Sequence, residues 1–238
     1  MKNLILFCFL MIGGSCFAQC FNCYDVLSVE QYRNAINLET VNFTNQNFDA
    51  LRRDYVQNAS AEIPNVDGSV FLFESWNNKA IIQTGKSTFS VPNINYNIDK
   101  KLFMTKLEDG SVLVYDFNRI ESILINNKIY SKIKGMGDDD QIYEVLHRDK
   151  NLTFAKTYDI KVIEAAADPK LNRLRPKIKQ KATYYAYTNG DLNKVKLRKK
   201  ELIALVNNKQ KLQEYVAKYK PSFNDEIDFT KALAYSHK

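Results

Sequence analysis

Across residues 96–125, apolar and polar positions alternate on both sides of the turn-forming Glu108-Asp109-Gly110. Successive side chains of an extended strand point to opposite faces, so this stretch predicts a hairpin of half-buried strands with one face toward a core. The same period of two begins at Ser69. It marks strand-like segments at 70–74, 80–84, 88–91, 94–98, 102–107, 112–115, 120–125, 129–133, 142–146 and 152–163. Turn formers separate them: Asn77-Asn78, Gly85, Pro92, Asp109-Gly110, Asn126-Asn127, residues 135–140 and residues 149–151. Residues 93–99 alternate so strictly that one of their faces is expected in solvent. Connections this short join antiparallel neighbours, which predicts a meander forming a sandwich, an open barrel or a curved sheet.

The flanks follow other rules. Ser28 and Gln31 form a possible capping box before Val29, Tyr32, Ala35 and Ile36, and Phe48, Leu51 and Tyr55 share one face of a second candidate helix over 47–56. Residues 57–68 read as a loop punctuated by Pro64 and Gly68. Between 168 and 181, Pro169 and Pro176 stand among Lys170, Arg173, Arg175, Lys177, Lys179 and Lys181, a composition expected of an exposed linker. A hairpin over 183–188 and 192–197 follows, with the Asn189-Gly190 dipeptide that suits a type I′ turn. Three short helices come last. Leu202, Ile203, Leu205 and Val206 make one apolar face on the first, and Leu212, Tyr215, Val216 and Tyr219 another on the second, which Pro221 ends. Ser222 or Asn224 caps the third, with Ile227, Leu233 and Tyr235 inward.

The expected fold is α+β: an antiparallel β-meander with a small C-terminal hairpin-plus-helices unit. Its divisions are a signal peptide at 1–18, a partly helical segment at 19–68, a β domain at 69–166, a basic linker at 167–181 and the hairpin with helices at 182–238.

The N-terminal end carries an address. Lys2, the apolar residues 4–12 and the small-residue run toward Ala18 have the three parts of a secretory signal, with cleavage between Ala18 and Gln19. The apolar run is too short to span a bilayer. Lipidation at Cys16, after Gly13-Gly14-Ser15, is the alternative, which would make the protein an outer-membrane lipoprotein. Cleavage at Ala18 leaves Cys20 and Cys23, a C-x-x-C without the strand-helix context of a redox motif. A local disulfide in an oxidising compartment is the expected state. Metal binding by these thiols is not expected, because the remaining chain offers only His147 and His237, far apart in sequence.

Charge divides the chain. The net charge is +7, but residues 19–168 hold 16 Lys and Arg against 21 Asp and Glu, whereas residues 169–238 hold 17 against 6. In an exported protein such a basic end meets anionic headgroups or acidic proteins rather than nucleic acid.

Catalytic motifs are missing: there is no G-x-S-x-G, no H-E-x-x-H, no phosphate-binding glycine loop and no dinucleotide fingerprint. His147 reads as a turn-edge residue. Asp138-Asp139-Asp140 reads as a solvated hairpin tip. Asp99, Glu108, Asp116 and Glu144 are the carboxylates whose convergence would make a glycosidase. Tyr96, Tyr115, Tyr130, Tyr143 and Tyr158 recur in the strands as core or sheet-face aromatics, and Trp76 beside Asn77-Asn78 is the expected exposed aromatic.

In order, Cys16-Phe17-Ala18-Gln19, the aromatic entry Val70-Phe71-Leu72-Phe73-Glu74-Ser75-Trp76 with the meander after it, and the Tyr184-Tyr185 hairpin with its Lys-rich helical end resemble a type common among exported proteins of Bacteroidota that lack an assigned function. The resemblance implies export and this architecture, and it brings no catalytic residues. The leading expectation is a periplasmic or secreted envelope protein without a catalytic site or cofactor. It would bind envelope proteins or an anionic envelope surface through Trp76, Lys170, Arg173, Arg175, Lys177, Lys179, Lys181, Lys199 and Lys200. The alternatives are a carrier or sensor of an apolar ligand on a curved sheet, and a glycan hydrolase.

Overall fold

The computed structural model describes residues 39–40, 51–56, 66–85, 87–133, 141–165 and 175–237. The signal segment with Ala18 and Gln19, Cys20, Cys23, the helix expected at 28–36, Asp138-Asp139-Asp140, Lys170 and Arg173 lie outside the described residues. The strands are β1 Glu39–Thr40, β2 Arg52–Val56, β3 Ala80–Gln83, β4 Thr88–Val91, β5 Ile94–Asn97, β6 Leu102–Lys106, β7 Val112–Tyr115, β8 Ser122–Ile125, β9 Lys128–Ser131, β10 Tyr143–Arg148, β11 Leu152–Ile163, β12 Lys177–Thr188 and β13 Asp191–Val195. Three helices follow, α1 Lys199–Leu205, α2 Lys209–Tyr219 and α3 Glu226–Ser236.

Nine strands make one sheet, in the order β1-β4-β3-β8-β9-β10-β11-β12-β13, and four make another, β2-β7-β6-β5. All pairings are antiparallel except β1 with β4. Neither sheet closes on itself, so the α+β meander takes the form of two packed sheets with helices at one end. Two-residue turns set the register where the sequence placed them: Asn126 and Asn127 between β8 and β9, and Asn189 and Gly190 between β12 and β13, all have positive φ. The expectation that short connections join only sheet neighbours fails at Pro92-Asn93. There β4 leaves the large sheet and β5 enters the small one, helped by a left-handed Asn93.

The interior between the sheets holds Ile82, Val91, Tyr96, Phe103, Leu113, Tyr115, Ile123, Ile125 and Tyr130. The outer face of the small sheet is also covered. Met104, Val112 and Val114 pack there with Val70, Phe71 and Ile178. Of residues 93–99 only the two ends, Asn93 and Asp99, are exposed, contrary to the alternation rule: all four residues of β5 are buried, Asn95 to 1 % exposure. The Asn95 amide explains it. Its Oδ1 accepts from Phe73 N–H and its Nδ2 donates to the Phe73 carbonyl at 2.8 Å, so a polar side chain serves as ladder partner to the covering segment. For the same reason residues 70–74 do not form the expected regular strand. They follow the edge of β5 through the Phe71–Asn97 bridge and bonds from Leu72 N–H and Ile98 N–H.

Two further expectations are corrected by pairing. Arg52–Val56 is a strand, not the end of a helix, because it satisfies the outer edge of β7. Lys177, Lys179 and Lys181 belong to β12 and not to a linker. Lys177-Ile178-Lys179-Gln180-Lys181 alternates with Ile178 buried, and the twelve residues of β11 offer a full-length partner. The large sheet thus runs without interruption from the β domain into the C-terminal unit.

The helices close over β10–β13. Phe154, Ala186 and Val195 meet Leu202, Leu212, Tyr215, Phe229 and Leu233 in a second core. Asn208 caps α2, and Asp225, rather than Ser222 or Asn224, caps α3 by accepting from Asp228 N–H. Ile227 is 60 % exposed instead of inward, since Phe229, Ala232, Leu233 and Ser236 already define the buried face at helical spacing.

Candidate binding ribbon and histidine cluster

Strand β11 is shared by both cores. Leu152 and Phe154 face the helices, Tyr158 and Ile160 face the inter-sheet core, and Lys156 lies between them on the same face. Register sets Tyr130, Glu144, Lys156 and Tyr184 side by side on β9 to β12. The Lys156 ammonium is 3.3 Å from Glu144 Oε1 and donates to both carboxylate oxygens of Glu226, the first residue of α3, at 2.7 Å. Tyr130 and Tyr158 donate to Glu144, and Tyr184 donates to Glu226. Burial first, and then the neighbouring carboxylate, pushes the Tyr130 and Tyr158 hydroxyls well above their ordinary range, so they remain neutral donors. Glu144 is 3 % exposed. A carboxylate so enclosed, with an ammonium opposite it, lies at the seam between the two cores. The other three carboxylates do not join it. Asp99 precedes β6 and Glu108 follows it, at opposite ends of the strand, and Asp116 is occupied with Asn118 N–H and Arg119.

The polar constellation at the end of the same sheet involves His147, which the sequence set aside with His237. A bulge in β10 inserts one residue between Val145 and His147, so that His147 comes opposite Phe154, on the face where the helices lie. Asp149 begins the following turn, and its Oδ1 accepts from Asn151 and Leu152 N–H at 2.7 and 2.9 Å. Its Oδ2 lies 3.1 Å from His147 Nε2 and 2.6 Å from His237 Nδ1. His237, just past α3, donates from Nε2 to the Leu205 carbonyl at the end of α1. The two imidazoles stand at 66° with centroids 5.7 Å apart. Burial lowers the His147 pKa, only partly offset by Asp149. Burial pushes the Asp149 carboxyl up, but the Asn151 and Leu152 N–H groups and the two imidazoles outweigh it, so the carboxyl is held below its usual range. Sequence distance concealed this cluster. Its only local signal was that each histidine stands at the end of an element.

On the opposite face of β11 and β12 the ladder exposes lysines at adjacent positions. Lys161 stands directly opposite Lys179, flanked by Lys177 and Lys181. Asp159 faces Lys181. The same face continues through Tyr185 and Tyr187, both half-buried, to Lys194 opposite Tyr185 on β13. Like charges opposite one another in a sheet are unfavourable, so stability does not account for the arrangement. Among the other expected contact residues, Arg175 is exposed just before β12. Lys199 and Lys200 open α1, at the helix end that disfavours cations. Lys199 also lines a groove of about 390 Å³ with Ile203, Leu212 and Val216. Trp76 is half-buried, its ring 4.8 Å from that of Phe71, because the covering segment folds it onto the small sheet. Among the described residues no helix is long and apolar enough to cross a membrane. Compared with known protein families, curated proteins and solved structures, the chain matches none of them.

Proposed function

We propose that the protein is exported to the cell envelope and acts there without catalysis, as an interaction module that binds an anionic, phosphate-bearing surface through the β11–β12 ribbon. The observation that carries this reading is the ladder of Lys161, Lys177, Lys179 and Lys181, held at fixed spacing on a rigid sheet face and continued by Tyr185, Tyr187 and Lys194. Each lysine near an anionic bilayer is worth about 1 kcal/mol at low salt, so four make an attachment that is reversible and sensitive to ionic strength. The signal-like residues 1–18 and the excess of cations after residue 168 support the location and the partner chemistry.

Co-sedimentation with phosphatidylglycerol vesicles tests it. The protein is expected to pellet at low salt, to be released at high salt and to ignore phosphatidylcholine vesicles. Replacing the four ladder lysines by serine is expected to abolish binding. Equal binding to both vesicle types, or binding unchanged in the quadruple variant, would overturn the reading. Intact mass after isolation from the native envelope tests export: a chain starting at Gln19 supports a soluble periplasmic or secreted protein, an acylated Cys16 supports a lipoprotein, and a chain starting at Met1 rejects both.

A further inference from the structure

We propose that His147 Nε2, His237 Nδ1 and Asp149 Oδ2 bind one divalent transition-metal ion of the Zn²⁺ class, fastening the end of α3 to the β10–β11 turn. The three ligand atoms come from one strand end, one turn and one helix end, and all lie within 4.8 Å of one another. They converge on the free oxygen of a carboxylate whose other oxygen is already fixed by two backbone N–H groups. His237 is oriented from behind: its Nε2 donates to the Leu205 carbonyl, which directs Nδ1 at Asp149 Oδ2. A ligating histidine is commonly held by such a second bond to a carbonyl.

At 2.6 Å, the imidazole nitrogen and the carboxylate oxygen need a cation between or beside them, either a proton on Nδ1 or a metal ion in its place. The remaining polar neighbour of Nδ1 is the exposed Asn207 amide at 3.2 Å, which makes a weaker donor than an ion. Two imidazole nitrogens and one carboxylate oxygen suit Zn²⁺ or a neighbouring transition ion, whereas Ca²⁺ and Mg²⁺ prefer oxygen alone. Ligand atoms of a tetrahedral zinc ion stand about 3.4 Å apart. The two Asp149–imidazole separations of 2.6 and 3.1 Å lie within an ångström of that. The two nitrogens stand up to 4.8 Å apart and must close on the ion, a movement left to the partly exposed His147 and Asp149 because His237 is held by Leu205. Three protein ligands leave a fourth position for water.

The test uses the full chain without a polyhistidine tag, with Cys8, Cys16, Cys20 and Cys23 replaced by serine so that thiols cannot bind the probe. ZnCl₂ titration by calorimetry is expected to give one ion per chain, with CaCl₂ and MgCl₂ bound roughly a hundredfold more weakly or not at all. CoCl₂ is expected to give a visible ligand-field spectrum, an optical readout separate from stability. His147→Ala and Asp149→Asn are each expected to lower Zn²⁺ affinity about tenfold or more and to change the Co²⁺ spectrum. Asn207→Ala, which removes a competitor and no ligand, is expected to keep or strengthen binding. His147 and Asp149 are partly exposed, and circular dichroism checks that their variants are folded. An absence of stoichiometric Zn²⁺ binding would mean that a proton alone bridges the cluster, and would overturn the proposal. Affinity unchanged in both ligand variants would do the same.

Discussion

Lys156 and Glu144 stand directly opposite each other on β11 and β10, their charged groups 3.3 Å apart and their side chains 6 % and 3 % exposed. An ion pair this enclosed contributes little net stability compared with apolar packing, but an orphaned half is costly. Lys156→Met is therefore expected to lower the unfolding free energy by less than the about 3–5 kcal/mol of a fully orphaned charge, because Glu144 loses its nearest cation but keeps Lys128, 3.5 Å away, and the Tyr130 and Tyr158 hydroxyls. Adding Glu144→Gln should recover a part of that loss, since Glu226 is 27 % exposed and can turn toward water. Urea unfolding of the two single variants and the double variant measures the coupling. Strictly additive losses would mean that the pair is not coupled.

The second buried polar device is Asn95. Its amide exchanges two hydrogen bonds with the Phe73 backbone and donates a third to the Ser75 carbonyl. Asn95→Leu keeps the volume but strands the Phe73 groups, at an expected cost of about 1–3 kcal/mol. Hydrogen exchange should speed up first in residues 70–76, the segment that the amide holds to β5. Protection unchanged there would show that apolar contacts alone seat the segment.

The sequence exposed much of the fold and little of the histidine cluster, for physical reasons. Alternation and Asn-Gly chemistry located β3 to β11 and the β12–β13 turn because those signals are local. The same alternation misread β5, since a strand whose polar side chains are satisfied by a neighbouring backbone looks like one that faces water. Lys177-Ile178-Lys179 carries the same alternation, but its charge and the nearby prolines mask the buried Ile178. The meeting of His147 with His237 depends on a bulge in β10 and on where α3 ends. Neither leaves a mark on the residues between them.

Lys161 opposite Lys179 is an unfavourable pair that the proposed surface retains. Lys179→Glu turns it into an attractive one and is expected to raise stability by about 0.2–1 kcal/mol while weakening attachment to anionic vesicles. Thermal unfolding at low salt measures the first effect. A loss of stability would mean that Lys179 has a favourable partner which this reading overlooks.

Gly68 has φ +96°, and a Cβ there would stand 2.7 Å from the Ile178 carbonyl oxygen. At the same place Asp67 N–H donates to the Pro176 carbonyl and the Asp67 carbonyl accepts from Ile178 N–H, tying the covering segment to β12. Gly190 has a similar φ but open space around it. Both Gly→Ala variants carry the left-handed cost of about 1–2 kcal/mol, and only Gly68→Ala must also push two backbones apart. It is expected to be clearly the less stable of the two in chemical unfolding. Equal losses would place the whole effect in φ.

Alkaline pH should unfold the protein through its tyrosines. Burial raises the Tyr96, Tyr115 and Tyr130 hydroxyls above their ordinary value near 10, with Asp159 adding to it for Tyr96 and Glu144 for Tyr130, while the Thr105 bond opposes it for Tyr115. A raised pKa means that the folded chain keeps these protons after the unfolded chain has lost them. The stabilisation is complete below about pH 10 and declines above it, by about 1.4 kcal/mol per pH unit for each phenol that ionises only in the unfolded state. Tyrosinate absorbance of this buried set is thus expected to rise only in step with the loss of circular dichroism. Tyr115→Phe removes one linked proton and should make the decline shallower. A buried set that titrated while the dichroism stayed intact would show that the inter-sheet core admits hydroxide without unfolding.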